Sequence, residues 1–214
     1  MAFRGWPMQA LDFFEGLEAD NSKTYWTANK AIYDEKVYAP MAALVADLEA
    51  EFGSGKIFRP YRDVRFSADK TPYKTNIGAV LGEGYVQLSA AGLGAGLGMY
   101  QMAPDQLARY RGAVAEDASG AELEQVIAAI KRRKIAVTGH DELKTVPRGY
   151  DRDHPRADLL RYKGLIAWQE WPVAPWLNKP AAKDRVVEFL RTSAPLMSWL
   201  DTHVGSSTSP ARSR

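Results

Sequence analysis

Apolar residues recur at two different periods along the chain, and the switches between those periods outline its elements. Met41, Leu44, Val45, Leu48 and Phe52 follow one another at intervals of three and four, the spacing of one face of an α-helix. Tyr25, Asn29, Tyr33 and Val37 continue a similar stripe upstream, and Leu11, Phe14 and Leu17 mark a shorter helix before it. Pro40 lacks a backbone donor and is expected to kink or divide the long helix. Gly53-Ser54-Gly55 is expected to end it, because glycine accepts the left-handed conformation of a helix terminus. The pattern then changes. Asn76–Leu81 and Tyr85–Ser89 read as two strands joined by a turn at Gly82-Glu83-Gly84. Gly92, Gly94, Gly96 and Gly98 alternate with Leu93, Ala95, Leu97 and Met99, so a strand here shows bare backbone on one face and apolar side chains on the other. Close packing of a helix or an aromatic ring on the bare face is the expectation, with a ligand against the backbone as the alternative.

Helical spacing returns after Pro104 with Leu107, Tyr110 and Val114. Ser119-Gly120-Ala121-Glu122 fits a capping box for a helix carrying Leu123, Val126, Ile127 and Ile130. Lys131-Arg132-Arg133-Lys134 closes that helix, where cations complement its negative end. The same run also suits phosphate binding. Ile135–Val137 and Leu165–Trp171 are strand candidates, and Lys179–Leu200 is a terminal helix interrupted at Pro195. Helices therefore flank an antiparallel β-meander, with N-terminal, middle and C-terminal helices packed on it, and the fold class is α+β. We read residues 1–204 as one domain and 205–214, rich in serine, as a disordered tail.

Charge divides the chain unevenly. Residues 1–55, the helical part, carry four basic and nine acidic side chains, while residues 56–214 carry 24 basic and 17 acidic. The whole chain is nearly balanced at +2, which gives no independent argument for nucleic acid or a membrane surface. There is no cysteine among the 214 residues, which excludes disulfides, thiol nucleophiles and Cys-ligated metals. No apolar run is long enough to span a membrane, and Met1–Pro7 lacks a signal-peptide core, so a cytoplasmic location is expected. His140, His154 and His203 show no metal-ligand spacing. Neither a nucleophile elbow nor a phosphate-binding Gly-Lys-Ser/Thr loop occurs. No metal or cofactor is therefore expected, and nothing in the sequence fixes an oligomeric state.

Two segments concentrate the remaining chemistry. Residues 59–75 hold five cations, two carboxylates and three aromatic rings, and Pro72 disfavours helix at its C-terminal part. If residues 62–67 are extended, Phe66 anchors the segment while Arg65 points the other way. Residues 143–155 repeat the ingredients: cations, hydroxyls, an aromatic ring and prolines. Together with Asn21-Ser22-Lys23-Thr24-Tyr25-Trp26, the run Arg62–Thr75 and the run Leu143–Tyr150 make the chain resemble the conserved domain of unknown function numbered 2461, from Phe13-Phe14 to about Leu200. Thr24-Tyr25-Trp26 departs from the Glu-Trp-Phe that this resemblance leads one to expect. The resemblance implies no activity.

The residues themselves suggest three functions. The first is capture of a small phosphate- or carboxylate-bearing ligand in a basic cleft. Arg62, Arg65, Lys70, Lys74, Lys144 and Arg148 would supply charge, and Tyr73 and Tyr150 hydroxyls or a stacking face. The second is an enzyme on such a ligand with Asp63 or Asp69 as general base. The third is nucleic-acid binding through the same loops and Lys131–Lys134, with the steep salt dependence that phosphate contacts bring. Against all three stands an internal ion-pair network in which Asp63 and Asp69 merely pin the loop.

Overall fold

The stripe at residues 41–48 is buried as its spacing requires: Met41, Leu44, Val45 and Leu48 all face the interior of one helix, Ala39–Phe52. In this computed structural model, which describes residues 2–65, 68–139 and 141–208, the helices are α1 (Met8–Ala19), α2 (Lys23–Ile32), α3 (Ala39–Phe52), α4 (Pro104–Ala115), α5 (Asp117–Arg132), α6 (Ala157–Arg161) and α7 (Ala181–His203). The strands are β1 (Gly55–Ile57), β2 (Asn76–Leu81), β3 (Gly84–Ser89), β4 (Gly92–Met99), β5 (Ala136–Thr138) and β6 (Leu165–Pro172). They form one antiparallel sheet in the order β1-β2-β3-β4-β6-β5, so the class is α+β. The first four strands are a meander, and β6 rather than β5 adjoins β4. Among the described residues no helix is long and apolar enough to cross a membrane. The expected anchor Phe66 lies outside the described residues.

The chain gathers into two compact units. The first comprises Met1–Ala95 and Glu170–Glu188, the second Gly96–Gln169 and Phe189–Arg214.

In the first unit the long N-terminal helix is divided just before Pro40, by a π-helical stretch at Tyr33–Tyr38. There the amide of Ala39 donates to the carbonyl of Asp34, five residues back. Gly53, at φ +93°, ends α3. Helix α3 covers one face of the sheet: a side chain at Gly55 would start 2.3 Å from Val45. Gly55 pairs with Leu81 and Ile57 with Ala79, so Leu81, Ala79 and Ile77 share that buried face with Val86 and Leu88 of β3. Each of the larger ones, Ile77, Leu81, Val86 and Leu88, contributes about 1.5–3 kcal/mol by leaving water.

The second unit packs α4, α5 and α6 with β5 and the C-terminal part of α7. Tyr110, Val114, Leu123, Ile127, Leu160, Leu196 and Trp199 are buried there. The Arg156 guanidinium is buried against the end of α4, donating from Nε to the Val114 carbonyl at 2.6 Å and from Nη2 to those of Ala115 and Glu116. It satisfies acceptors that a helix end otherwise leaves open. The capping box expected at Ser119 is displaced. Helix α5 starts earlier, and Glu116 caps it by accepting from the amides of Ala118 and Ser119. Ser119 sits within the first turn and gives its hydroxyl to the Ala113 carbonyl at 2.6 Å. Of the segment read as a tail, Gly205–Thr208 hydrogen-bond to α4. Gln106 and Arg109 donate to the carbonyls of Gly205 and Ser206, and Ser207 and Thr208 donate to the Asp105 carboxylate. Residues 209–214 lie outside the described ones.

The alternating glycines of β4 follow the packing account at Gly96. The Trp168 ring lies 2.9 Å from where its Cβ would be.

Candidate functional site

Residues 59–75 leave α3 and β1 and return into β2, and their ends are fastened side by side. Tyr61 and Tyr73 form an antiparallel bridge, with the Arg62 amide donating to Pro72 at 2.9 Å and the Lys74 amide to Pro60 at 2.8 Å. Asn21, just before α2, clamps the return. Its Oδ1 accepts from the Tyr73 amide at 3.0 Å and its Nδ2 donates to the Tyr73 carbonyl at 3.1 Å. The Tyr73 ring lies flat on Trp26, with centroids 4.4 Å apart and planes 8° from parallel. Both rings are buried. Tyr73 therefore serves the core, and burial raises its phenol pKa.

Within the loop the cations are largely satisfied by near neighbours. Arg65 grips Asp63 with two donors, Nε at 2.9 Å and Nη2 at 2.7 Å. These bonds hold the Asp63 carboxyl down to about 2. Arg62 pairs with Asp69 and donates to the Thr71 hydroxyl at 2.5 Å. Asp69 also accepts from the Thr71 amide at 2.9 Å, and that amide, with Arg62, holds it down to about 2. Lys70 donates to the Val64 carbonyl at 2.9 Å. A carboxylate with so low a pKa has little driving force to take a proton near neutrality. The loop is thus an ion-pair network over much of its length.

Lys74 is different. It is half-buried, and its ammonium lies 5.3 Å from the centroid of the Phe58 ring. Among the described residues neither Lys74 nor the exposed Arg59 forms an ion pair, although the Arg59 charge acts on the Asp63 carboxyl. Burial first, and the Arg59 charge second, lower the Lys74 pKa below its ordinary value.

Strand register shows what surrounds this charge. The Phe58 amide donates to the Gly78 carbonyl at 2.9 Å, and Gly78 pairs with Gln87. Phe58, Gly78 and Gln87 thus form a row on the sheet face turned away from α3. Asn76, Val80, Tyr85 and Ser89 share this face. The Tyr85 ring crosses Gly78, where a Cβ would meet its hydroxyl at 2.5 Å. Gln87 Oε1 accepts from Asn76 Nδ2 at 2.7 Å and from the Tyr85 hydroxyl at 3.0 Å. Beside Gln87 a hollow of about 50 Å³ opens, walled by Ser89, Glu170 and Trp171 and floored by Gly92 and Gly94.

Sequence reading picked out Lys74 but missed Phe58, Asn76, Tyr85 and Gln87. The signal was present in the two-residue alternation of β2 and β3, which puts Asn76 and Gln87 opposite the apolar face. The segment 143–155 belongs to the second unit. There Lys144 and Arg148 are exposed, and Tyr150 is half-buried near Arg111. Burial lowers the Arg111 pKa, while Tyr150 and Tyr110 act the other way. The first-unit candidates meet in the loop and at the sheet; of the second-unit ones, Lys144, Arg148 and Tyr150 lie in the 143–155 segment, with Tyr150 near Arg111 of α4.

A family model described as a conserved hypothetical protein, DUF2461, matches residues 9–199. No curated protein and no solved structure matches the chain.

Proposed function

The chain belongs to the DUF2461 family of conserved hypothetical proteins, and from that premise, which brings no activity with it, we propose that the protein binds a small phosphate- or carboxylate-bearing ligand at Lys74. One observation carries the reading. Lys74 is a half-buried ammonium with a lowered pKa, near Arg59, and no ion-pair partner lies on Lys74 among the described residues, while Arg59 lies in the field of Asp63. Holding two cations together while partly desolvating one costs free energy. An incoming anion removes that cost and gains charge-assisted hydrogen bonds. Arg62, Arg65 and Lys70 act as the frame that holds the loop ends, through Asp69, Asp63 and the Val64 carbonyl. Asp63 and Asp69 serve that frame, so the function is binding rather than proton abstraction.

The test is titration of the full chain with inorganic phosphate, pyrophosphate and citrate, followed by calorimetry and by NMR shifts of the Lys74 and Asn76 amides. At least one anion is expected to saturate, with Lys74→Ala weakening it tenfold or more and Arg65→Ala much less. Affinity should fall as pH rises through the lowered Lys74 pKa, because the ammonium is the binding form. Absence of saturation by all three anions, or equal losses in the two variants, refutes the assignment.

A further inference from the structure

The sheet face turned away from α3 is open where the other is closed. Ile77, Ala79, Leu81, Val86 and Leu88 are buried on the α3 side, whereas Tyr85 on the far side is half-buried and Phe58 is exposed. These two rings meet there. Gly78 lies between them and has no side chain, so their centroids come within 6.3 Å. A Cβ at Gly78 would meet the Tyr85 hydroxyl at 2.5 Å and its ring at 3.0 Å. Glycine weakens a strand interior, and here it lets Tyr85 lie down toward Phe58. Positive charge brackets the rings. Lys56 precedes Phe58 by two residues, about 7 Å along an extended chain, and pairs with Val80 on the same face. On the other side the Lys74 ammonium lies 5.3 Å from the Phe58 centroid, within reach of the Arg59 charge. No Asp or Glu occupies an outward position of β1, β2 or β3; Glu83 lies in the turn between β2 and β3.

A flat apolar surface with cations on both sides suits a base that carries a phosphate on either side of it, as in a nucleic-acid strand. A paired duplex hides its base faces, so the strand must be single. We infer that the anion held at Lys74 is a backbone phosphate of single-stranded nucleic acid, with one base stacked on Phe58, the next on Tyr85, and a further phosphate at Lys56. This rests on the anion-binding reading above and names the molecule that carries the anion. The phosphate draws the Lys74 ammonium off the Phe58 ring, a weak contact at an exposed site, and gives that ring face to the base. Every base has a face to stack, so little sequence preference is expected.

The test is fluorescence anisotropy of the full chain with labelled oligo(dT) and oligo(U) of about ten nucleotides, beside calorimetry with pyrophosphate. At least one strand is expected to bind tenfold or more tightly than pyrophosphate. Phosphate contacts at Lys56, Arg59 and Lys74 give a slope of about −2 in log affinity against log salt, and Lys74→Ala should weaken binding and flatten the slope by about 0.7. Phe58→Leu keeps apolar bulk without a flat face and should weaken the strand tenfold or more, whereas Phe58→Trp should bind as the parent does. Lys23→Ala, at the exposed start of α2, should stay within twofold. Thermal melting reports whether each variant is folded, and Tyr85→Leu gives a second reading of the rings should Phe58→Leu unfold. If pyrophosphate binds and neither strand improves on it, this inference falls and the anion reading stands. If neither pyrophosphate nor a strand binds, both fall. A strand whose affinity ignores Phe58→Leu, or drops instead on replacing Lys131 and Arg132 at the end of α5, overturns the inference.

Discussion

Replacing Tyr73 is the sharpest test of how the first unit holds its loop. The ring is 6% exposed and stacks on Trp26, which is 5% exposed, while its backbone is clamped by Asn21 and bridged to Tyr61. Truncation to alanine removes a buried aromatic side chain and leaves a cavity, a change that costs about 3–5 kcal/mol. Part of that cost is specific to the pair. A cycle of Trp26→Leu, Tyr73→Leu and the double variant should return a coupling of about 0.5–1.5 kcal/mol. Tyr73→Phe keeps the ring and should change stability by less than about 0.5 kcal/mol. Urea unfolding followed by circular dichroism supplies the free energies. Amide exchange at Arg62 and Lys74, whose amides close the loop ends, should accelerate in Tyr73→Ala. A coupling indistinguishable from zero, or a Tyr73→Ala cost below about 1 kcal/mol, would show that the stacked pair does not anchor the loop.

Other consequences are open to measurement. Arg156→Lys loses the fork that reaches Val114, Ala115 and Glu116, and should cost about 1.5–3 kcal/mol in urea unfolding, against no change if those carbonyls are satisfied otherwise. The Ser207 hydroxyl and Thr208 amide hold the Asp105 carboxyl well below the usual range. A depressed folded-state pKa means the contact is at full strength above the ordinary carboxylate pKa and is lost as pH falls through the depressed value. NMR order parameters at Ser207 and Thr208 should therefore drop on strong acidification, and Asp105→Asn should lower them at neutral pH; unchanged order in both cases would refute the tether. Gly96→Val must displace the Trp168 ring, costing about 1–3 kcal/mol with a shift in tryptophan emission, and a wild-type melting curve would contradict the contact.

How much the sequence disclosed depended on how local each determinant was. Helix α3 was legible because its four core residues lie within eight positions and repeat at the helical period. The turn at Gly82-Glu83-Gly84 and the start of α4 at Pro104 were legible for the same reason. The start of α5 was not, because two capping solutions lay three residues apart and the glutamate at 116 took the role offered to Ser119. Tyr73 looked like a ligand group from its charged neighbours. Its partner Trp26 lies 47 positions away, a pairing that no local pattern encodes. Arg62, Arg65 and Lys70 were read as a surplus of charge, but counting cations against carboxylates ignores backbone carbonyls, one of which takes up Lys70. Lys74 stood in the same list, and only strand register distinguished it from the rest.

The widened helical stretch at Tyr33–Tyr38 has a bearing on inheritance by length rather than by composition. A π-type turn holds one residue more than the regular helix around it, so deleting one residue there would let α2 run into α3 as a single unbroken helix. Because the wide turn absorbs that extra residue, its loss leaves the facing of α2 nearly unchanged, whereas a residue removed from the regular turns between Trp26 and Tyr33 rotates everything upstream by about 100° about the axis. Trp26 would then swing away from Phe13, Tyr33 and Tyr73, whose rings it now touches. Substitutions at the exposed Asp34 or Glu35, and a one-codon deletion within the wide turn, should be tolerated, whereas a one-codon deletion between Trp26 and Tyr33 should undo the aromatic cluster.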